Sequence, residues 1–125
     1  MMMLSVIFVA MLLTPLASSQ PEKRGGVNCK AYRNRYGPLC YSDTSSIPSP
    51  GATLQYKITV RGRPRICCYA YTCSRHSCYM KYIGCGRNTW RSSNLPWEGG
   101  NVVAKPRMKC KSTGRYVRYS YWTIH

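Results

Sequence analysis

Hydrophobic and polar positions alternate most cleanly over residues 53–60 (TLQYKITV), where Leu54, Tyr56, Ile58 and Val60 interleave with Thr53, Gln55, Lys57 and Thr59. Successive side chains of a strand point to opposite faces, so this period of two predicts a strand with one buried face. Gly62 and Pro64 interrupt the pattern within residues 61–65 (RGRPR), and residues 66–73 (ICCYAYTC) resume a strand-like run. The spacing predicts an antiparallel hairpin, about 53–60 against 66–73, whose loop crowds Arg61, Arg63 and Arg65 at its tip. A third strand is expected at 78–85 (CYMKYIGC), after a turn at 74–77. Further short strands are expected at 101–104, 107–111 and 115–124, the last rich in aromatic and β-branched residues. Residues 29–40 are basic and tyrosine-rich, with a turn expected at Gly37-Pro38. Residues 42–51 and 87–100 read as loops, the second carrying Trp90 and Trp97. No helical period or internal repeat follows the amino-terminal run. The expected fold is an all-β or β-dominated small disulfide-rich domain.

The amino terminus is different in kind. Residues 4–16 form an apolar run of 13 residues, shorter than the about 20 that a membrane-spanning helix needs. With the small residues Ala17 and Ser19 behind it, the run reads as a signal peptide over 1–19, although no Lys or Arg precedes it. Residues 20–24 read either as a short pro-segment ending at the dibasic Lys23-Arg24 or as a solvated basic tail. Residues 25–125 then form a single basic domain.

All eight cysteines, Cys29, Cys40, Cys67, Cys68, Cys73, Cys78, Cys85 and Cys110, follow the expected cleavage point. An even number in a small secreted chain reads as a disulfide frame, which offsets a thin aliphatic core. The pairing is open, except that adjacent Cys67 and Cys68 face opposite ways on a strand and so take different partners. Zinc is the rival use of these thiols, but the spacing lacks paired Cys-x-x-Cys knuckles, and no metal site is assigned.

Charge narrows the function. Nineteen Lys and Arg stand against three acids, Glu22, Asp43 and Glu98, for a formal charge of +16. So few carboxylates cannot build an oxygen cage for calcium or a paired-carboxylate catalytic site. His76 and His125 read as solvated surface residues. Secreted ribonucleases of the pancreatic type share the size, basicity, eight cysteines and histidine pair, but their Cys-Lys-x-x-Asn-Thr-Phe segment is only echoed at 29–35 and no histidine precedes it. No catalytic residue and no cofactor are assigned, and the chain is expected not to be an enzyme.

Cations recur beside tyrosines in four clusters: Arg33, Arg35 and Tyr36; Arg61, Arg63 and Arg65; Lys105, Arg107, Lys109 and Lys111; and Arg115, Tyr116, Arg118 and Tyr119. Guanidinium and ammonium groups grip sulfate, phosphate or carboxylate, while rings stack on sugars. With almost no acid to balance them, these clusters predict a polyanion-binding surface. The expected partners are acidic matrix macromolecules, acidic polysaccharide or an anionic surface, and secretion disfavours nucleic acid. Tyr56 and one face of the Tyr69/Tyr71 pair are expected in the core, with the other tyrosines exposed for stacking or oxidative cross-linking. No Asn-x-Ser/Thr sequon is present.

A short signal peptide, strong basicity, paired cysteines and eleven tyrosines resemble the composition of small secreted mollusc shell-matrix proteins. The resemblance implies mantle secretion into an organic framework, with acidic macromolecules or chitin as partners and no calcium bound directly by this chain. The Lys23-Arg24-Gly25-Gly26 junction and the Cys67-Cys68 doublet are also similar to features of cysteine-rich toxin precursors and antimicrobial peptides, which implies the alternative of a host-defence or venom polypeptide acting on anionic membranes. A cystine-knot ligand is excluded by the missing Cys-x-Gly-x-Cys ring. The expectation carried forward is a secreted, extracellular binding or structural protein.

Overall fold

A computed structural model describes residues 22–43, 51–98 and 105–125. The expected signal peptide and the strand expected at 101–104 lie outside these residues. The described residues form ten strands: β1 Glu22–Arg24, β2 Cys29–Arg33, β3 Cys40–Tyr41, β4 Ala52–Arg61, β5 Ile66–Cys73, β6 Cys78–Gly86, β7 Thr89–Arg91, β8 Leu95–Trp97, β9 Arg107–Ser112 and β10 Val117–Ile124. They pair in the order β1-β10-β2-β9-β5-β8-β4-β7, and an additional β10–β4 pairing closes β10, β2, β9, β5, β8 and β4 into a barrel. β6 extends β5 outward and β3 pairs with β9. The expected β-dominated, disulfide-rich fold is what the chain adopts.

The expected 53–60/66–73 hairpin is not formed. β4 pairs with β10, β7 and β8, whereas β5 pairs with β6, β8 and β9. Residues 62–65 are therefore an arch that carries the chain from one wall of the barrel to another. Alternation reports which face of a strand is buried but not which neighbour it bonds, and two strands that face each other across a core alternate as hairpin partners do. Gly62 turns the arch at φ +129°, a backbone region open mainly to glycine. The expected loop at 87–100 also needs correction, because it contains β7 and β8. These three-residue strands line β4, with Trp90 opposite Ile58 and Leu95 opposite Leu54. The tight turn after β2 falls at Asn34, at φ +54°, ahead of Gly37. Gly37 is held instead by close approach: a Cβ there would collide with the Lys30 carbonyl oxygen.

The barrel interior is filled from alternate positions. Leu54, Tyr56, Ile58 and Val60 of β4 meet Cys68 and Ala70 of β5, Met108 and Cys110 of β9, and Val117, Tyr119 and Tyr121 of β10, with Leu95 and Trp97 from β8. Aromatic rings replace missing aliphatic volume. Tyr119 and Tyr121, expected at the surface, are both fully buried, because only their side of β10 faces the interior. Burying a phenol whose hydroxyl has no partner costs free energy, and two of the three phenols buried here are partnered. Tyr56 donates to the Tyr71 carbonyl at 2.7 Å and Tyr121 to the Cys40 carbonyl at 2.6 Å. Tyr69 and Tyr71, two residues apart, share the outward side of β5 and are half-buried.

Four disulfides lock this arrangement, and all eight cysteines are used. The thiols that a zinc site would need are thereby committed. Cys67 bonds Cys85 of β6 and Cys68 bonds Cys110 of β9, so the adjacent pair takes different partners on opposite sides of β5. Cys73 bonds Cys78 across the β5–β6 turn. Each of these three bonds joins residues that are already register partners. Cys29–Cys40 ties β2 to β3. β1, within the segment read as a pro-segment or tail, pairs with β10, Arg24 lying opposite Trp122.

Candidate polyanion-binding faces

β9 places the main basic strip. Met108, Cys110 and Ser112 are fully buried, so Arg107, Lys109 and Lys111 emerge on the outer wall. Lys105 precedes the strand, half-buried, and its carbonyl accepts a hydrogen bond from Arg107 Nε at 3.1 Å. Outward positions on one strand are about 6.7 Å apart. Neighbouring cations at that spacing repel by about 0.6 kcal/mol per pair in a water-like dielectric. A bound anion relieves that repulsion.

Tyrosines seat each cation. The Arg107 guanidinium lies 4.2 Å from the Tyr71 ring centroid and 4.7 Å from that of Tyr41. Lys109 Nζ stands 5.6 Å from both Tyr36 and Tyr69, and Lys111 Nζ stands 5.2 Å from Tyr36. The rings themselves stack edge-to-face, Tyr36 on Tyr69 and Tyr69 on Tyr82, each at 5.3 Å. Each contact made by these half-buried cations is worth about 0.5–2 kcal/mol. Side chains held this way lose less freedom when they grip a ligand, a saving of the order of 0.5–1.5 kcal/mol per side chain. Partial burial, and then the neighbouring phenols Tyr69 and Tyr82, raise the Tyr36 pKa. Tyr36 therefore stays neutral and adds no negative charge to the strip.

Arg61, Arg63 and Arg65 are exposed on and beside the arch at one end of the barrel. Arg115 joins them: a Cβ at Gly62 would lie 3.5 Å from its guanidinium nitrogen. Arg118 is the register partner of both Arg61 on β4 and Lys30 on β2, so three exposed cations form one row across β2, β10 and β4. The expected cluster of Arg115, Tyr116, Arg118 and Tyr119 is thus divided, with Tyr119 inside the barrel. Arg35 packs 4.7 Å from the Tyr32 ring, and Tyr32 meets Tyr116 at 5.5 Å.

Sequence reasoning found the cations of β9 but missed the rings beneath them, which come from three distant segments. It also missed Lys30, whose outward place is readable only once β2 is known to flank β10. His76 is exposed at the β5–β6 turn, where its backbone N–H donates to Ser74 Oγ at 3.4 Å, and His125 is half-buried at the end of β10. A hollow of about 650 Å³ is bounded by Gly25, Asn28, Tyr41, Asp43 and Arg61, and no histidine lines it. No described helix is long and apolar enough to cross a membrane. No protein-family model matches the chain, and neither a curated protein nor a solved structure is significantly similar to it.

Proposed function

We propose that this chain is a secreted, non-catalytic protein of an extracellular matrix that holds acidic polymers on its basic faces, with the organic matrix of a biomineral such as shell as the setting its composition fits. The observation that carries this reading is the β9 strip, in which three cations are presented on one wall by tyrosine rings. Three carboxylates in the whole chain cannot neutralise nineteen cations, so an external anion is the natural counter-charge. Four disulfides suit an oxidising, extracellular setting. The alternative of membrane attack finds less support. Apart from Val27 and Leu39, the exposed large hydrophobic residues among those described are tyrosines, which offer little apolar surface to insert into lipid.

Heparin-affinity chromatography tests the reading. The variant Arg107→Gln/Lys109→Gln/Lys111→Gln should elute at lower salt than a control of equal net charge, Arg75→Gln/Lys81→Gln/Arg87→Gln, altered around the exposed β5–β6 hairpin. Co-elution of the two variants would mean that the strip is not a site.

A further inference from the structure

The barrel carries a second cationic wall, and its position relative to β9 has a functional meaning. β4 pairs with β10 and β5 pairs with β9, and the inward residues of these two strand pairs meet across one core. The outward sides of β4 and β10 therefore point away from the Arg107–Lys109–Lys111 strip. On that opposite wall the Arg118–Arg61 pair, beyond which Lys30 stands on β2 toward β9, is followed, one outward position along, by a row of hydroxyls. Ser120 is the register partner of Thr59, Thr59 that of Thr89, and the two threonine hydroxyls lie 3.3 Å apart. One position further, Lys57 and Arg91 are register partners. Cations thus lie on both sides of the hydroxyl row, each about 6.7 Å from it.

From this placement we infer that the protein bridges two acidic polysaccharide chains, one lying on each wall. The inference rests on the polyanion-binding reading above and extends it. A sulfated or carboxylated sugar chain presents anions and hydroxyls together. The β4–β10 wall offers partners for both, and the β9 wall offers cations with rings for sugar faces. The two walls are separated by a core packed with Tyr56, Trp97 and Tyr121. A short chain on one wall cannot reach the other without rounding the barrel. Two back-to-back sites of one charge make a cross-linker, because each molecule raises the local concentration of a second chain beside the first.

The test uses the folded, disulfide-bonded protein and heparin labelled separately with donor and acceptor dyes. Energy transfer between chains should rise as protein is added and fall again at protein excess. Variant Arg61→Gln/Arg91→Gln/Arg118→Gln and variant Arg107→Gln/Lys109→Gln/Lys111→Gln should each still bind one heparin chain, within about tenfold of the parent, while transfer drops below about a tenth of the parent value. The charge-keeping variant Arg61→Lys/Arg91→Lys/Arg118→Lys should bridge like the parent, which separates charge from folding. Full transfer by either one-wall variant would overturn the inference, as would a parent complex that stays one-to-one across all ratios, the signature of one chain wrapping the barrel. Equal bridging of a polyphosphate of matched charge would overturn the assignment to polysaccharide. Binding without bridging leaves the polyanion reading intact and removes only this inference, whereas no heparin binding at all removes both.

Discussion

The disulfides differ in what they restrain, and the difference is measurable. Cys68–Cys110 closes a loop with a sequence separation of 42, and Cys73–Cys78 one of only 5. Loop-closure entropy assigns about 4 kcal/mol to the first bond and about 2 kcal/mol to the second. The intact Cys67–Cys85 bond shortcuts the long loop and trims its share to about 3.5 kcal/mol. Packing acts in the same direction. Cys68 and Cys110 are both fully buried between β5 and β9, whereas Cys78 is exposed, so replacement by alanine leaves more unfilled volume in the first case. Cys68→Ala/Cys110→Ala should therefore lose at least about 1.5 kcal/mol more than Cys73→Ala/Cys78→Ala. In non-reducing urea titrations, with the other three bonds intact, this separates the midpoints by about 1 M at slopes of ~1–2 kcal/mol/M. Equal losses, or a larger loss for the short loop, would refute the entropy argument and the register of β5 against β9 on which it rests.

Other consequences are open to direct measurement. Tyr121→Phe should lower stability by about 1 kcal/mol in thermal or urea unfolding, because the Cys40 carbonyl loses its 2.6 Å donor. Tyr119→Phe should cost clearly less, since its buried hydroxyl has no hydrogen-bond partner among the described residues. Burial raises the pKa of Tyr56, Tyr119 and Tyr121, whereas the unfolded phenols ionise near about 10. Stability should hold up to about pH 10 and fall as the pH rises beyond it, because the unfolded state then releases protons that the folded state retains. A spectrophotometric titration should accordingly show these three phenols ionising only as the barrel unfolds. Arg61→Ala/Arg63→Ala/Arg65→Ala should lower the heparin elution salt without changing the melting temperature by more than a degree or two, as all three side chains are exposed; unchanged elution would remove the arch from the binding surface.

Local periodicity reached the strands and stopped at their partners. The alternation of Leu54, Tyr56, Ile58 and Val60 located β4 and its buried side, and the 66–73 run located β5. Yet the arch at 62–65 has the length and composition of a hairpin loop, so local pattern could not separate the two. The contacts that close the barrel are non-local: β2 runs parallel to β9, with Tyr32 beside Lys111, and β5 parallel to β8, with Cys73 beside Trp97. β7 and β8 were hidden because Ser92, Ser93, Asn94 and Pro96 look like loop chemistry, and their strand character comes from lying along β4. The same division holds for the site. Arg107, Lys109 and Lys111 alternate visibly with Met108, Cys110 and Ser112, whereas Tyr36, Tyr41, Tyr69 and Tyr71 converge on them only through the β3, β5 and β9 pairings. The opposite-facing doublet Cys67-Cys68 was readable because it depends on strand geometry alone.

That doublet also bears on how the molecule would take mechanical load. Neighbouring residues bonded to strands on either side make β6, β5 and β9 a covalent ladder, so a pull arriving at β9 reaches β5 through sulfur and not only through hydrogen bonds that could unzip one after another. In the proposed cross-linking role, a junction tugged inside a stretched gel or composite would then keep its shape while the polymer slips along its walls. Wear would fall on a contact that reforms, and not on irreversible denaturation.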